Sequence, residues 1–242
     1  MEGLGALLGL APSPVLQGRL ARCGLPAPAT PPHLDDPGWA TLVDAVTIQE
    51  TRLFRHPALL QALSDQVLPA LRAVAGGRAL RMVSAGCATG EEAYTLAMLA
   101  AAGGPAGVLG FDVSRPALAA AGLPRWPTGF PDPARDVPPA FRHWLEPVDG
   151  TLCPAPALQA MVRFRRANLL ALPPGLLRQE DLILCRNVLI YLHPPARAQA
   201  LAALTGALAP GGALMLGPSD APPAGLGLRP WGGGASCVWR RA

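Results

Sequence analysis

A glycine turn followed by two carboxylates is the first feature of this sequence whose residue types could do chemistry. The run Val83–Glu92 (VSAGCATGEE) reads as the end of a strand, a turn over Gly86–Gly90 and the start of a helix. Glycine lets a ligand approach the backbone closely, and the amides at a helix N-terminus favour an anion such as a carboxylate. Glu91 and Glu92 could hold an amino group beside it.

The spacing of this turn disfavours phosphate binding. Gly-x-x-x-Gly differs from the Gly-x-Gly-x-x-Gly of dinucleotide sites, and the chain has no Gly-Lys-Ser/Thr of a P-loop. Asp112 ends the next predicted strand, where a carboxylate can accept hydrogen bonds from ribose hydroxyls. These features fit an adenosine cofactor without phosphates, and S-adenosylmethionine meets that description. The alternative is a helix-capping turn with solvated glutamates.

Alternating strands and helices must position these residues. Strands are predicted over 80–85, 108–112, 181–185 and 213–216, with a weaker one over 161–164, and helices over 57–75, 91–102 and 195–208. This alternation predicts an α/β fold with a mostly parallel sheet, which binds ligands at the carboxyl ends of its strands. The glycine turn, Asp112 and Cys185-Arg186-Asn187 all fall at such ends.

Composition narrows the function classes. The chain has 242 residues, of which 50% are hydrophobic, so it can bury the core of one large domain. All 20 basic residues are Arg, and the net charge of +4 comes without a block of five or six basic residues, so it argues only weakly for a nucleic-acid partner and none is predicted. The five Cys show no CxxC pair, so neither a metal site nor a disulfide framework is predicted.

No membrane insertion is predicted. The chain begins Met1-Glu2 without a basic leader, and its uncharged stretches (3–18, 93–111 and 198–219) are each broken by Gly or Pro. We therefore expect a cytoplasmic protein.

Several segments in a fixed order resemble one enzyme family. They are Thr47–Arg55 (TIQETRLFR), Val83–Met98 (VSAGCATGEEAYTLAM), Phe111–Ser114 (FDVS), Asn168–Leu170, Cys185–Tyr191 (CRNVLIY) and Leu208–Gly217 (LAPGGALMLG). Together they resemble the chemotaxis-receptor methyltransferases, the CheR-type family, over roughly residues 45–242.

The resemblance implies a Rossmann-like S-adenosylmethionine-dependent methyltransferase sheet. A short N-terminal helical domain and linker helix would occupy 1–75 and the methyltransferase domain 76–242, with a reduced β-subdomain at 141–165. The implied reaction transfers methyl from S-adenosylmethionine to glutamate side chains of chemoreceptors or related signalling proteins, giving methyl esters and S-adenosylhomocysteine. The implied partner is a receptor cytoplasmic domain, and we expect a monomer.

The resemblance also implies cofactor contacts in each segment. They are Gln49, Thr51, Arg55, Ala85, Gly86, Glu92 at the methionine amino group, Asp112 and Val113 at the ribose, Asn168 and Leu169 beside the adenine, and Arg186 and Asn187 on the far side. Gln49 stands where the family usually has Asn.

Arg55 and Tyr191 are the predicted catalytic residues. A glutamate carboxylate has a reference pKa of about 4.3, so it is already ionised at neutral pH and needs no general base or metal. Arg55 and Tyr191 would orient it by hydrogen bonds. Alternatively, Arg55 caps a helix or pairs with Glu50, and Tyr191 is a half-buried core residue.

Two further functions stay open from the sequence. The acceptor could be a small-molecule carboxylate or RNA, although RNA would require a continuous basic surface with stacking aromatics. The chain could also be a catalytically weak S-adenosylmethionine-binding regulatory protein, to which Gln49 and the short front domain would point.

Overall fold

Strands of two sheets form the frame of the molecule. The computed structural model describes residues 2–232 and 237–242. Its strands are β1 (Leu80–Ala85), β2 (Ala106–Asp112), β3 (Trp126–Pro127), β4 (Leu145–Val148), β5 (Thr151–Pro154), β6 (Val162–Arg166), β7 (Glu180–Cys185), β8 (Leu208–Leu216), β9 (Leu228–Pro230) and β10 (Val238–Arg241).

The larger sheet has the order β6-β2-β1-β7-β8-β10-β9. Its first five strands are parallel, and β10 and β9 are antiparallel at one end. The central strands β1 and β7 are almost wholly buried, as a parallel sheet covered on both faces requires. The predicted α/β, Rossmann-like fold is therefore confirmed.

The described chain contains nine α-helices. They are α1 (Glu2–Leu8), α2 (Pro14–Cys23), α3 (Pro37–Val46), α4 (Pro57–Ala62), α5 (Leu68–Ala75), α6 (Glu91–Ala101), α7 (Arg115–Gly122), α8 (Pro156–Met161) and α9 (Pro194–Ala207). Helices α5–α9 pack against the larger sheet, whereas α1–α3 pack mainly on one another. The helix predicted over 57–75 is confirmed, with a π-helical turn at Leu63–Val67 joining α4 to α5. None of the helices among residues 2–232 and 237–242 is long and apolar enough to cross a membrane.

Strand β8 starts earlier than predicted. The sequence Ala209-Pro210-Gly211-Gly212 was expected to lie before the strand, which was predicted from 213. In the structure Leu208 already pairs with Glu180, and the register shifts before Leu182 pairs with Ala213. An irregularity in the pairing therefore accommodates the Pro and Gly residues inside the strand.

A small sheet of order β3-β5-β4 lies beside the main one. Asp149 and Gly150, both with positive φ, form the hairpin turn between β4 and β5. The small sheet recruits its third strand from Trp126–Pro127, upstream of the predicted 141–165, whereas Val162–Arg166 pairs with β2 in the main sheet. A two-residue strand inside a Pro-rich stretch carries no alternation pattern that would reveal it.

The front helices α1–α3 have a small core of their own. Its buried members are Leu4, Leu8, Leu16, Trp39, Leu42, Val43 and Val46. The division into 1–75 and 76–242 stays a prediction.

The connection between α1 and α2 is bound to the chain that follows β7. The Ala11 amide donates to the Tyr191 carbonyl at 2.8 Å, and the His193 amide donates to the Gly9 carbonyl at 2.9 Å. These main-chain bonds hold the front helices over the carboxyl edge of the sheet.

This attachment predicts that Gly9 cannot be enlarged. Gly9 has φ +67°, and a Cβ on it would lie 2.3 Å from the Ala196 Cβ and 2.7 Å from the Leu170 Cδ1. We expect Gly9→Ala to lower the free energy of unfolding by about 1–3 kcal/mol in a denaturant titration. Gly5→Ala is the control, because its Cβ would meet only the Leu10 carbonyl oxygen at 3.8 Å. Equal stability of Gly9→Ala and the unsubstituted chain would contradict the prediction.

Candidate functional site

A large cavity lies where β1, β2 and β7 end. The strand order reverses between β1 and β7, so their carboxyl ends diverge there and leave a crevice. Its lining comes from residues 46–55, the glycine turn, the end of β2, residues 167–169 and residues 186–192, and from residues 8–19 of the front helices.

The cavity brings together all but two of the predicted site residues. Those lining it are Thr51, Arg55, Gly86, Glu92, Asp112, Val113, Asn168, Leu169, Arg186, Asn187 and Tyr191. Gln49 and Ala85 are the exceptions. Gln49 Nε2 donates to the Ser114 Oγ at 2.9 Å, and Ala85 is fully buried in β1. The extra length of Gln therefore fastens this loop to the start of α7.

The glycine turn is shaped by its neighbours on β2. Gly86 has φ +72°, and a Cβ on it would lie 2.5 Å from the Val188 Cγ2, so a larger residue would collide with the cavity wall. The amides of Gly86 and Cys87 both donate to the Phe111 carbonyl, at 2.8 and 3.1 Å. The backbone at Gly86 therefore lies close to the Val188 side chain, and its close approach to a ligand stays a prediction.

Asp112 braces the turn while facing the cavity. Its Oδ2 accepts from the Ala88 amide and its Oδ1 from the Ser114 amide, each at 2.9 Å. Burial raises the pKa of Asp112, and the amide hydrogen bonds oppose that rise. Each carboxylate oxygen has a second lone pair, which can accept from a ribose hydroxyl.

Glu92 and Arg186 form a buried ion pair in the wall. Arg186 Nη1 lies 3.2 Å from Glu92 Oε2, and the Ser84 hydroxyl donates to Glu92 Oε1 at 2.8 Å. The Arg186 side chain is only 2% exposed. Burial raises the pKa of Glu92, and the Arg186 charge opposes that rise.

Arg55 keeps part of its guanidinium unpaired. Its Nη1 donates to the Glu50 carbonyl at 2.9 Å, and its Nη2 lies 3.5 Å from Glu50 Oε1. The alternative of a pair with Glu50 is therefore realised, but the Glu50 side chain is 72% exposed and such a pair contributes little. The buried Arg55 Nε has no partner among the described residues.

Tyr191 lies in a 3₁₀ turn, Leu189–Tyr191, at the cavity wall. It is 36% exposed and belongs to none of the apolar cores found in the described chain. Within the described chain no hydrogen bond to its hydroxyl is found. This arrangement does not match the alternative of a core tyrosine.

The Asn168 side chain binds the front wall of the cavity, which is the wall formed by residues 8–19 of the front helices. Its Nδ2 donates to the Leu7 carbonyl at 2.6 Å, and its Oδ1 accepts from the Leu170 amide at 3.0 Å. Sequence reasoning missed this wall, whose cavity-facing residues include Val15 and Arg19. Residues 1–45 contain no motif, and only helical apolar spacing between prolines marks them.

The cavity chemistry fits S-adenosylmethionine. Arg186 Nε, like Arg55 Nε, is a buried donor without a partner in the described chain, and such a donor is costly unless a ligand satisfies it. The Arg186 cation suits the carboxylate of an amino-acid tail, whereas Glu92 suits its ammonium group. Asp112 and the close approach at Gly86 suit a nucleoside.

Metal and thiol chemistry have little support in the described residues. They contain no cluster of three or more His, Cys, Asp or Glu side chains able to hold a metal ion. Cys87, next to the turn, is buried, and burial raises the pKa of its thiol well above the ordinary value. A thiolate nucleophile is thus disfavoured at this position.

Comparison with known proteins agrees with this geometry. The family model "CheR methyltransferase, SAM binding domain" matches residues 49–225. The probable biofilm formation methyltransferase WspC of Pseudomonas aeruginosa is 34% identical over 83% of this chain and 48% of its own length, so the chain spans about half of that relative. Chemotaxis protein methyltransferase 1 of the same organism is 33% identical over 74% of this chain and 69% of its own length.

A solved structure is more distant. Magnesium protoporphyrin IX methyltransferase from Synechocystis PCC 6803, with bound S-adenosylhomocysteine, aligns with 66% of this chain and 55% of its own at 22% identity and a TM-score of 0.38. At that distance it adds nothing to the family assignment.

The two neighbouring glutamates provide a matched test of the site. Glu91 accepts from the Thr89 hydroxyl at 2.7 Å and does not line this cavity, whereas Glu92 does. We expect Glu92→Gln to weaken S-adenosylhomocysteine binding about tenfold or more in calorimetry, because the ammonium group loses a charged partner. Glu91→Gln should change it little. Similar dissociation constants for the two variants would contradict this assignment.

Proposed function

Because this chain belongs to the CheR methyltransferase family, we propose that it methylates glutamate side chains of a chemoreceptor or a related signalling protein. Its cofactor is S-adenosylmethionine, in agreement with the description of the matched domain. One relative is named a chemotaxis protein methyltransferase and another a probable biofilm formation methyltransferase. The chemotaxis name supports a signalling protein as the acceptor.

The reaction requires alignment more than proton transfer. When bound, the cofactor would supply an electrophilic methyl group to an acceptor oxygen, with S-adenosylhomocysteine as the leaving group. A glutamate carboxylate with a pKa of about 4.3 is ionised at neutral pH and already nucleophilic. Holding two reactants in the correct geometry can contribute about 7–11 kcal/mol in favourable cases. The protein therefore has to hold the two groups together and exclude water.

The observation that carries the proposal is that Arg55 and Tyr191 each keep a donor available at the cofactor cavity. Arg55 Nε is buried without a partner in the described chain, and the Tyr191 hydroxyl, on a 36% exposed residue, has no hydrogen bond there. Both residues line the cavity that contains the Glu92–Arg186 pair. An incoming carboxylate can accept from both donors, by one charge-assisted and one hydroxyl hydrogen bond. Glu92 and Arg186 hold the tail of the cofactor in this scheme.

The position of Gln49 weakens the case for a regulatory protein without activity. Its side chain is bound to Ser114 outside the cavity, so the departure from the family's usual Asn does not put an unsuitable group beside the cofactor. We therefore favour an active enzyme.

Transfer of radiolabelled methyl to receptor cytoplasmic fragments tests the proposal. We expect label in the receptor that mild base releases as methanol, because a glutamate methyl ester hydrolyses there. Binding of S-adenosylhomocysteine without transfer, or a base-stable label, would contradict glutamate esterification.

The two tyrosines of the chain provide a matched test of the acceptor contact. We expect Tyr191→Phe to lower kcat about 10- to 100-fold with little change in S-adenosylhomocysteine affinity, because only the orienting hydroxyl is lost. Arg55→Ala should lower kcat at least as much. Tyr94→Phe is the control: Tyr94 is buried and its hydroxyl donates to the Ala121 carbonyl at 3.3 Å. Near-normal turnover in both site variants would remove Arg55 and Tyr191 from the mechanism.

A further inference from the structure

Arg186 has a second side-chain neighbour besides Glu92, the imidazole of His56. Its Nη2 lies 3.0 Å from His56 Nδ1, and the same nitrogen donates to the Arg55 carbonyl. Its other terminal nitrogen contacts Glu92. His56 itself does not line the cavity, so it acts on a bound ligand only through Arg186.

The contact with Arg186 determines the protonation state and the tautomer of His56. A guanidinium is always charged and has donors only, so Nδ1 must present a lone pair and the imidazole must be neutral, with its proton on Nε2. We propose that His56 is a positioning residue, whose neutral Nδ1 holds Arg186 against Glu92 so that the cofactor binds most tightly while His56 is deprotonated. The proposal rests on the cofactor site described above.

The backbone supports this role. His56 has φ 62° and ψ 65°, a left-handed conformation that is uncommon outside Gly, although His, Asn and Asp adopt it more than most residues. It precedes Pro57 at the start of α4 and makes no capping hydrogen bond there. The turn instead presents two acceptors to one guanidinium, the Arg55 carbonyl and the imidazole.

The charges around His56 disfavour its protonation. Burial lowers the pKa of His56 below its ordinary value, and the charges of Arg186, Arg55 and Arg52 lower it further. The carboxylate of Glu92, on α6, is the anion in direct contact with this arginine, and it lies on the other terminal nitrogen of Arg186. When acid does protonate His56, two N–H donors face each other and the contact is lost.

The pH dependence of cofactor affinity follows from this. Affinity should be constant near neutral pH and fall at lower pH, by up to about tenfold for each pH unit below the pKa of His56. Glu92 also titrates in acid, since burial raises its pKa. A variant that removes only the titration of His56 is therefore needed.

Two substitutions distinguish the effect of the hydrogen-bond acceptor at His56 from the effect of protonating its imidazole. His56→Asn keeps an acceptor oxygen at the place of Nδ1, tolerates the left-handed backbone and does not titrate. His56→Gly tolerates the same backbone and has no acceptor. Each is compared with the unsubstituted chain by calorimetric binding of S-adenosylhomocysteine between about pH 5 and pH 8, with circular dichroism to verify folding.

We expect His56→Asn to bind within about threefold of the unsubstituted chain at pH 8 and to keep that affinity further into acid. His56→Gly should bind about tenfold more weakly at pH 8. Unchanged affinity in His56→Gly, or the same loss of affinity in acid for His56→Asn, would overturn the role of His56 alone. No binding by the unsubstituted chain at any pH would overturn the cofactor site, and the role of His56 with it.

Discussion

The buried charge of Arg186 is the constraint on which the site depends. A guanidinium that is 2% exposed is destabilising unless its hydrogen bonds and its charge are compensated. Compensation comes from Glu92 at the start of α6, and from the Arg55 carbonyl and His56 ahead of α4. Ser84 on β1 completes the arrangement by donating to Glu92. The Arg186 side chain, which follows β7, therefore contacts both the segment before α4 and the unit formed by β1, the glycine turn and α6.

Several residues of the cavity also hold the fold together, and this limits how their substitutions can be interpreted. The Asp112 carboxylate braces the glycine turn through the Ala88 amide, and the Asn168 amide holds the front wall through the Leu7 carbonyl. Loss of either side chain would therefore combine a change in folding with a change in binding. The Tyr191 hydroxyl has no such structural partner in the described chain. Its removal is a cleaner measure of what the cavity does to an acceptor.

How much the sequence could predict depended on whether a contact needs a particular residue type. The positions of Gly86 and Asp112 at the cavity were predictable, because each follows or ends a strand with a clear apolar pattern. Glycine is also the residue that fits at position 86, where a Cβ would lie 2.5 Å from a side-chain carbon of the cavity wall. The cavity wall formed by residues 8–19 was not predicted. Main-chain hydrogen bonds attach this wall, and such bonds do not require a particular residue type. Gln49 was expected in the cavity by position, but its length lets it reach Ser114 instead. The contact of Gln49 depends on how close Ser114 lies in the folded chain, and the order of residues in the sequence does not give that distance.

The two arginines of the cavity differ in how firmly they are held, and this difference favours separate roles. Both have a buried Nε without a partner in the described chain. The terminal nitrogens of Arg186 contact Glu92, the Arg55 carbonyl and His56. The Arg186 side chain is therefore suited to a ligand that occupies one constant position, as a cofactor tail does. Arg55 is 22% exposed, and its one side-chain partner is the solvent-screened carboxylate of Glu50. An incoming carboxylate can displace that contact at little cost, so Arg55 is the arginine able to adjust to an acceptor that arrives and leaves with each turnover.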